Sequence, residues 1–261
     1  MGILNVTPDS FADASPRLDP AAAVDAALRM EADGADLIDI GGESTRPGAD
    51  PVSADVELAR LLPVLRALSG RLRVPLSVDT MKADVARAAI AEGAAMINDV
   101  SGLHADPSLA RVAADTGAAL VLMHWRAPSK QMYDAAVYDD VVAEVAAELR
   151  ESVCSATAAG VPAEQLVIDP GLGFAKRAAH SYGVLARLPD LALALARPLL
   201  VGVSRKSFMR DALDGRPAPE RDWGTAAAVT AAVLAGAHIV RVHAVAEMAQ
   251  VVRVAEEIRE A

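Results

Sequence analysis

Apolar positions along this chain gather into short runs, separated by longer stretches in which alanine, leucine and valine recur at helical spacing. Eight runs read as strands: residues 1–6, 35–41, 74–79, 94–99, 118–124, 165–169, 198–204 and 237–243. From the end of the first to the end of the last, the mean interval is about 34 residues, room for one strand and one helix each. Helix punctuation agrees with this division. Asp19-Pro20 and Asp106-Pro107 read as N-caps followed by a proline in the first turn. Gly34, Gly93, Gly117 and Gly160 read as helix stops. Pro63 lies within a helical stretch and is expected to kink or divide it. The alternation predicts a single α/β domain over residues 1–261, a (β/α)8 TIM barrel. A doubly wound open sheet is the alternative. Its dinucleotide form wants G-x-G-x-x-G after the first strand. Here that strand runs into Asn5-Val6-Thr7-Pro8, and the nearest match, Gly171-Leu172-Gly173, comes late and lacks the third glycine.

Composition narrows the function classes. The 261 residues are 53% hydrophobic and the mean hydropathy is +0.27, which excludes disorder. A chain of this size buries about three quarters of its unfolded surface and needs no disulfide or metal staple. The net charge of −10 argues against nucleic acid or an anionic membrane as partner, but not against a small anionic substrate met by a few local cations. Cys154 is the only cysteine, so neither an intramolecular disulfide nor a thiolate cluster is available. The first residues lack a basic region followed by a long apolar core. The longest apolar stretch, residues 226–237, falls short of the ~20 residues that span a bilayer. A cytoplasmic location is expected.

In a barrel, chemistry gathers at the C-terminal strand ends, and all eight ends here are polar. They carry, in order, Asn5; Glu43, Ser44, Thr45 and Arg46; Asp79 and Thr80; Asn98 and Asp99; His124; Asp169; Ser204, Arg205, Lys206 and Ser207; and Arg241 and His243. For Asp99, Thr80 and Ser204 a cap or a barrel-closing bond is as good a reading as a ligand role. Trp125 and Phe174 are either core or ligand-facing. Asp79, Asn98 and Asp169 suit a flat heterocycle with an edge of N–H donors. Thr45, Arg46, Arg241 and His243 suit a phosphate or diphosphate. Lys206 alone among the four lysines follows a strand end directly. The chain has no P-loop, no zinc-spaced histidines and no G-x-S-x-G elbow.

The motifs at these ends resemble the dihydropteroate synthase family of folate biosynthesis, the pterin-binding enzymes targeted by sulfonamides. The matching stretches are GILNVTPDSF (2–11), IDIGGESTRPGA (38–49), LSVDT (76–80), INDVSG (97–102), LMHWRA (122–127), VIDPGLGFAK (167–176), LVGVSRKS (200–207) and IVRVH (239–243). The first two are highly specific, and together they follow the family's order from end to end. The resemblance implies a transferase that condenses 7,8-dihydropterin-6-ylmethyl diphosphate with 4-aminobenzoate, giving 7,8-dihydropteroate and pyrophosphate with Mg2+. It places Asp79, Asn98, Met123, Asp169, Phe174, Gly202 and Lys206 around the pterin. Asn5, Thr45, Arg241 and His243 fall on the pyrophosphate, with Asn5 reaching Mg2+. Thr45, Arg46, Pro47, Phe174, Lys206 and Ser207 border the aminobenzoate. Asp79, Lys206, Arg241 and His243 are the implied catalytic groups. A homodimer through the last helices and loops that close after strands 1 and 2 are also implied.

The chain departs from the family pattern in places. The strand 1 loop reads Phe11-Ala12-Asp13-Ala14-Ser15-Pro16 where Ser-Asp-Gly-Gly is common, which stiffens it. Ala175 replaces a frequent glycine, and Ala244 replaces an Asp or Asn. Many members carry a β-hairpin upstream of strand 1 that plugs the barrel bottom; either the floor is built differently here or the start is misplaced. Two other classes compete with the synthase: a pterin-binding paralogue without turnover, and a pterin-dependent methyltransferase. The retained strand-end residues argue against the first, and the GGESTRP and SRKS segments against the second. A sulfonamide-insensitive synthase is a further alternative, but the ordinary strand 2 and strand 6 loops predict sensitivity.

Overall fold

The computed structural model describes residues 1–7, 20–45, 48–128 and 130–261. All eight predicted strands are present: β1 (Gly2–Asn5), β2 (Ile38–Gly41), β3 (Leu76–Asp79), β4 (Met96–Asp99), β5 (Ala119–Met123), β6 (Leu166–Asp169), β7 (Leu200–Val201) and β8 (Ile239–Val240). Between and after them run α1 (Pro20–Ala32), α2 (Ala54–Leu68), α3 (Ala83–Ala91), α4 (Leu109–Thr116), α5 (Val141–Ala158), α6 (Ala178–Ala186), α7 (Leu188–Leu195), α8 (Asp222–Leu234) and α9 (Val245–Glu260). β1 to β6 pair in parallel in chain order, and β7 pairs with β8. Single parallel bridges, Ile168 with Leu199 and Gly2 with Val242, join the two sheets into a ring. Bonds from Ile168 N to Pro198 O (3.0 Å) and from Ile3 N to Val242 O (2.9 Å) carry these seams. The architecture is the expected parallel barrel.

Alternation along each strand divides the molecule into two apolar regions. Ile38, Ile40, Val78, Ile97, Leu120, Leu122, Ile168 and Val201 face the helices and join the main core. The opposite face lines the barrel. There Met1, Leu37, Val121, Val167 and Leu200, with Met96 and Ile239 against them, fill the floor. Two residues further along the same inward face, apolar gives way to polar: Leu37 to Asp39, Met96 to Asn98, Val167 to Asp169 and Ile239 to Arg241. One end of the barrel is thus a plug and the other a polar mouth.

Gly34, Gly93, Gly117 and Gly160 have φ of +98°, +102°, +74° and +100°, the left-handed stops expected of them. Pro20 opens α1; Asp19 lies outside the described residues. Two expectations are corrected. Pro63 does not divide its helix: α2 runs unbroken past it, with the ring on the exposed face where the missing N–H costs least. Asp106-Pro107 does not cap α4 directly. A tight turn intervenes and α4 starts at Leu109, while the Asp106 carboxylate accepts from Ala83 N (2.8 Å), the first residue of α3, and from Ser108 N (3.0 Å). A short acceptor is drawn to whichever orphan helix N–H lies nearest in space, and here that is a neighbouring helix.

Candidate active site

The centre of the mouth is an ion cluster drawn from four strands. Arg241 Nε donates to Asp39 Oδ2 (2.6 Å) and Arg241 Nη2 to Asp79 Oδ2 (2.8 Å). Asn98 Nδ2 donates to the same Asp39 oxygen (2.9 Å). Burial pushes the Asp79 carboxyl up to about 7; Arg241 pulls the other way and Asp39 adds to the rise. Asp39 Oδ1, Ser77 Oγ and Asn98 Oδ1 are buried without a hydrogen-bond partner, leaving unused polar capacity at the base of the mouth.

Asp169 and Lys206 stand together beside it. A side chain at Gly202 would lie 3.6 Å from Lys206 Nζ and 3.8 Å from Asp169 Oδ2, so the glycine leaves a flat surface between acid and amine. Asp169 Oδ1 accepts from Gly171 N (2.7 Å). Burial raises its carboxyl against the opposing charge of Lys206. Lys206 Nζ donates to Leu172 O (2.5 Å) and sits 4.7 Å from the centre of the Phe174 ring. Burial pushes the Lys206 amine down to about 8, with Asp169 pulling it back. Arg205 turns away from the mouth, with φ of +59° and a paired bond to Asp222 (2.7 Å each), which leaves Lys206 as the inward cation of this loop. Met123 packs against Gly171 on the β5 side.

Most other expected residues are also at the mouth. A Cβ at Gly41 would stand 3.7 Å from Asn5 Oδ1 and 3.4 Å from Asp79 Cβ, which sets Asn5 beside the cluster. His243 Nδ1 bonds Ser204 Oγ (2.9 Å). Thr45 is half-buried at the end of the β2 loop. Ser207 is exposed, and its hydroxyl lies 3.2 Å from Tyr133 Oη. Arg46, Pro47 and the strand 1 loop from Pro8 through Phe11 to Pro16 lie outside the described residues. Asp99, Thr80 and Ser204 are structural: Asp99 accepts from Ser101 N (2.8 Å) and Leu103 N (2.6 Å), Thr80 Oγ1 from Lys82 N (3.3 Å), and Ser204 braces His243. Trp125 stacks on His104 at 5.6 Å, whereas the Phe174 ring faces Lys206.

Three groups under the mouth carry no role in the motif reading. One is Asp39, the hub of the ion cluster. It lies inside a motif already noted, and its register with Leu37 and Gly41 was the available signal that it points inward. The second is a buried chain of Lys176, His124 and Glu148: Lys176 Nζ bonds His124 Nδ1 (2.7 Å) and His124 Nε2 bonds Glu148 (2.9 Å). The third is Lys82, paired with Glu43 and with Glu57 (2.6 Å), which anchors the base of the β2 loop together with Arg60 Nη1 on Gly42 O (2.7 Å). His124 was legible as a polar strand end, but only tertiary contact reveals its two partners and the pairing of Lys82.

For a metal, the described residues contain no cluster of three or more His, Cys, Asp or Glu in ligating range. An amide oxygen at Asn5 still fits Mg2+, which takes hard oxygen donors, keeps waters and binds largely through substrate phosphates. The mouth therefore combines a carboxylate–amide surface for a planar N–H-rich ring, a guanidinium and an imidazole for an anion, and an amine between the two.

The chain as a whole is similar to known proteins. The family model described as pterin binding enzyme covers residues 1–243. The chain is 49% identical over 249 residues to the dihydropteroate synthase of Mycobacterium leprae, spanning 93% of this chain and 87% of that protein. The Yersinia pestis dihydropteroate synthase, solved with a sulfonamide drug, superposes with a TM-score of 0.94 at 43% identity, over 100% of this chain and 94% of the other. The Xanthomonas albilineans dihydropteroate synthase with 4-aminobenzoic acid gives 0.92 at 43% identity, over 100% and 92%. The chain belongs to the pterin-binding enzyme family, among the dihydropteroate synthases.

Proposed function

We propose that this barrel mouth joins 7,8-dihydropterin-6-ylmethyl diphosphate to 4-aminobenzoate, releasing pyrophosphate. The observation that carries the reading is the side-by-side placement of Asp169, Lys206 and the Asp39–Arg241–Asp79 cluster. The Asp169 carboxylate and the unpartnered Asn98 oxygen accept from the N–H edge of the pterin, and Met123, Phe174 and Gly202 shape the slot around it. Arg241, His243, Thr45 and Asn5 receive the diphosphate. As the C–O bond to the diphosphate breaks, the exocyclic methylene becomes cationic and the electron pair leaves on the phosphate oxygen, where Arg241 stabilises it. The aniline nitrogen of 4-aminobenzoate then forms the new C–N bond and loses a proton. Thr45, Arg46, Pro47, Phe174, Lys206 and Ser207 border that second substrate. The protein contributes position and charge. Mg2+, held by Asn5 with substrate phosphate oxygens, would supply further neutralisation of the leaving group.

The same reading makes the protein sulfonamide-sensitive, a single cytoplasmic domain over residues 1–261, and a homodimer. For the dimer, Val254 and Ile258 are 62% and 58% exposed along an apolar groove of α8 and α9 that Thr230, Gln250 and Val251 complete. No described helix is long and apolar enough to cross a membrane. The deciding experiment is turnover: purified protein, both substrates and Mg2+, with dihydropteroate identified by mass and pyrophosphate quantified. Product that requires both substrates is expected. Intact substrates from a protein that still binds pterin would make it a non-catalytic paralogue.

A further inference from the structure

We infer that Lys176 is a positioning residue for the pterin slot: its buried side chain clamps the turn after β6 to His124 at the end of β5, and so sets where Asp169, the Leu172 carbonyl and Phe174 stand. This rests on reading the mouth as a pterin site.

Lys176 is 1% exposed, and a lysine that deep needs partners. It has three hydrogen-bond partners, His124 Nδ1 (2.7 Å), Gly171 O (3.2 Å) and Phe174 O (3.3 Å), and burial pushes its amine well below the usual lysine range. Those carbonyls are the two ends of one tight turn, closed by Phe174 N on Gly171 O (3.0 Å). The third partner references the turn to the barrel. His124 N donates to Asp169 O (2.8 Å), and His124 Nε2 bonds Glu148 on α5. Glu148 also takes Arg126 and is an acceptor, so the ring hydrogen sits on Nε2 and the lone pair on Nδ1, facing Lys176.

The turn does not hold itself. Gly171, Gly173 and Ala175 all take left-handed φ, +65°, +81° and +47°. An alanine there is strained by its Cβ, and such backbone persists where surrounding contacts over-determine it. Tyr138 Oη on Ala175 O (2.9 Å), Ser181 Oγ accepting from Gly173 N (3.1 Å) and Lys176 are those contacts, and of these Lys176 alone reaches both turn carbonyls. What hangs on the turn is the slot: Gly171 N on Asp169, Leu172 O on Lys206, and the Phe174 ring under Lys206. Phe174 and Lys206 border the aminobenzoate as well, but Thr45, Arg46, Pro47 and Ser207 on that side belong to other loops, whereas Asp169 faces the pterin alone.

The test compares wild type with Lys176→Met, His124→Asn and His124→Leu. The diphosphate substrate is titrated by calorimetry with Mg2+, and the KM for aminobenzoate is measured at saturating pterin. Lys176→Met is expected to raise the pterin Kd at least about tenfold and that KM by a smaller factor, because Phe174 and Lys206 touch both substrates and Asp169 only the pterin. His124→Asn keeps an oxygen acceptor toward Lys176 and is expected to stay within about threefold of wild-type affinity, while His124→Leu matches Lys176→Met. An unchanged pterin Kd in Lys176→Met, equal losses on both substrates, or His124→Asn as impaired as His124→Leu would each overturn the inference. If Lys176→Met does not fold, the His124 pair decides it. Wild-type protein without pterin binding overturns the functional reading as well, whereas wild-type binding with an unaltered Lys176→Met overturns this inference alone.

Discussion

Arg241 Nε donates to Asp39 Oδ2 at 2.6 Å across 202 residues of chain, joining β8 to β2 inside the barrel. The contact ties the anion-binding guanidinium to a carboxylate that never reaches solvent. Asp39 holds Asn98 through the same oxygen. Removing its charge should therefore misplace a phosphate group and a pterin group together. Asp39→Asn is expected to lower stability by about 3 kcal/mol, the low end for breaking a buried pair, because Asp79 still partners Arg241. The variant should lose most of its kcat/KM for the diphosphate substrate. Urea unfolding and steady-state kinetics check both; a variant with wild-type values in each would remove Asp39 from the site.

Lys206 should write a basic limb into the pH profile. Burial pushes its amine down to about 8 in the free protein, and kcat/KM reports free-enzyme ionisations. The cation is present below that pH and lost above it. The ratio is expected to fall as pH rises through about 8, and Lys206→Arg, which stays charged, should remove this limb even if its rate is lower. A limb at the same pH in Lys206→Arg assigns it to another group.

Acid should loosen the His124 end of the buried chain. Burial, with Lys176 beside the ring, pushes His124 from 6.5 down to about 4. The fold keeps the ring neutral, so unfolding between these values takes up a proton. The ring's contribution to stability is full above pH 6.5 and falls as pH drops toward 4, by on the order of 3 kcal/mol. Glu148, held down to about 2 against its burial by His124 and Arg126, extends the loss below 4.5. Urea midpoints from pH 8 to 4.5 should show the slope in wild type and a shallower one in His124→Asn. A flat wild-type profile would contradict the neutral buried ring.

Two glycine substitutions separate backbone strain from collision. Gly93 has φ of +102° with nothing near its missing Cβ, whereas Gly171 at +65° would put a Cβ 2.4 Å from the His124 carbonyl oxygen. Gly93→Ala is expected to cost about 1 kcal/mol. Gly171→Ala must shift the turn, and about 3 kcal/mol or more is expected. Only Gly171→Ala should also weaken pterin binding. Equal costs in unfolding experiments would show that the turn yields freely.

Asp169→Ala removes the slot's charged acceptor. Pterin binding should weaken by roughly 2–4 kcal/mol. Calorimetry with unchanged affinity would refute the role given to this carboxylate.

The repeat of strand and helix, the polar strand ends and the left-handed glycine stops were all legible without coordinates, because period and punctuation are local properties of a chain. So were Asp79, Asn98, Asp169, Lys206, Arg241 and His243 as candidates, since a closed parallel barrel gathers its strand ends on one rim. Local reading failed where a partner lay far along the chain. Asp106 caps a neighbouring helix as well as the turn that leads into α4, and Pro63 is tolerated because its face of α2 is solvent. The pairing of Arg241 with Asp39 and the clamp of Lys176 through His124 to Glu148 depend on three-dimensional distance alone. The sequence by itself determined which groups stand at the rim; the tertiary structure decided which of them touch, because burial makes each charge take whatever partner the packed barrel places within reach.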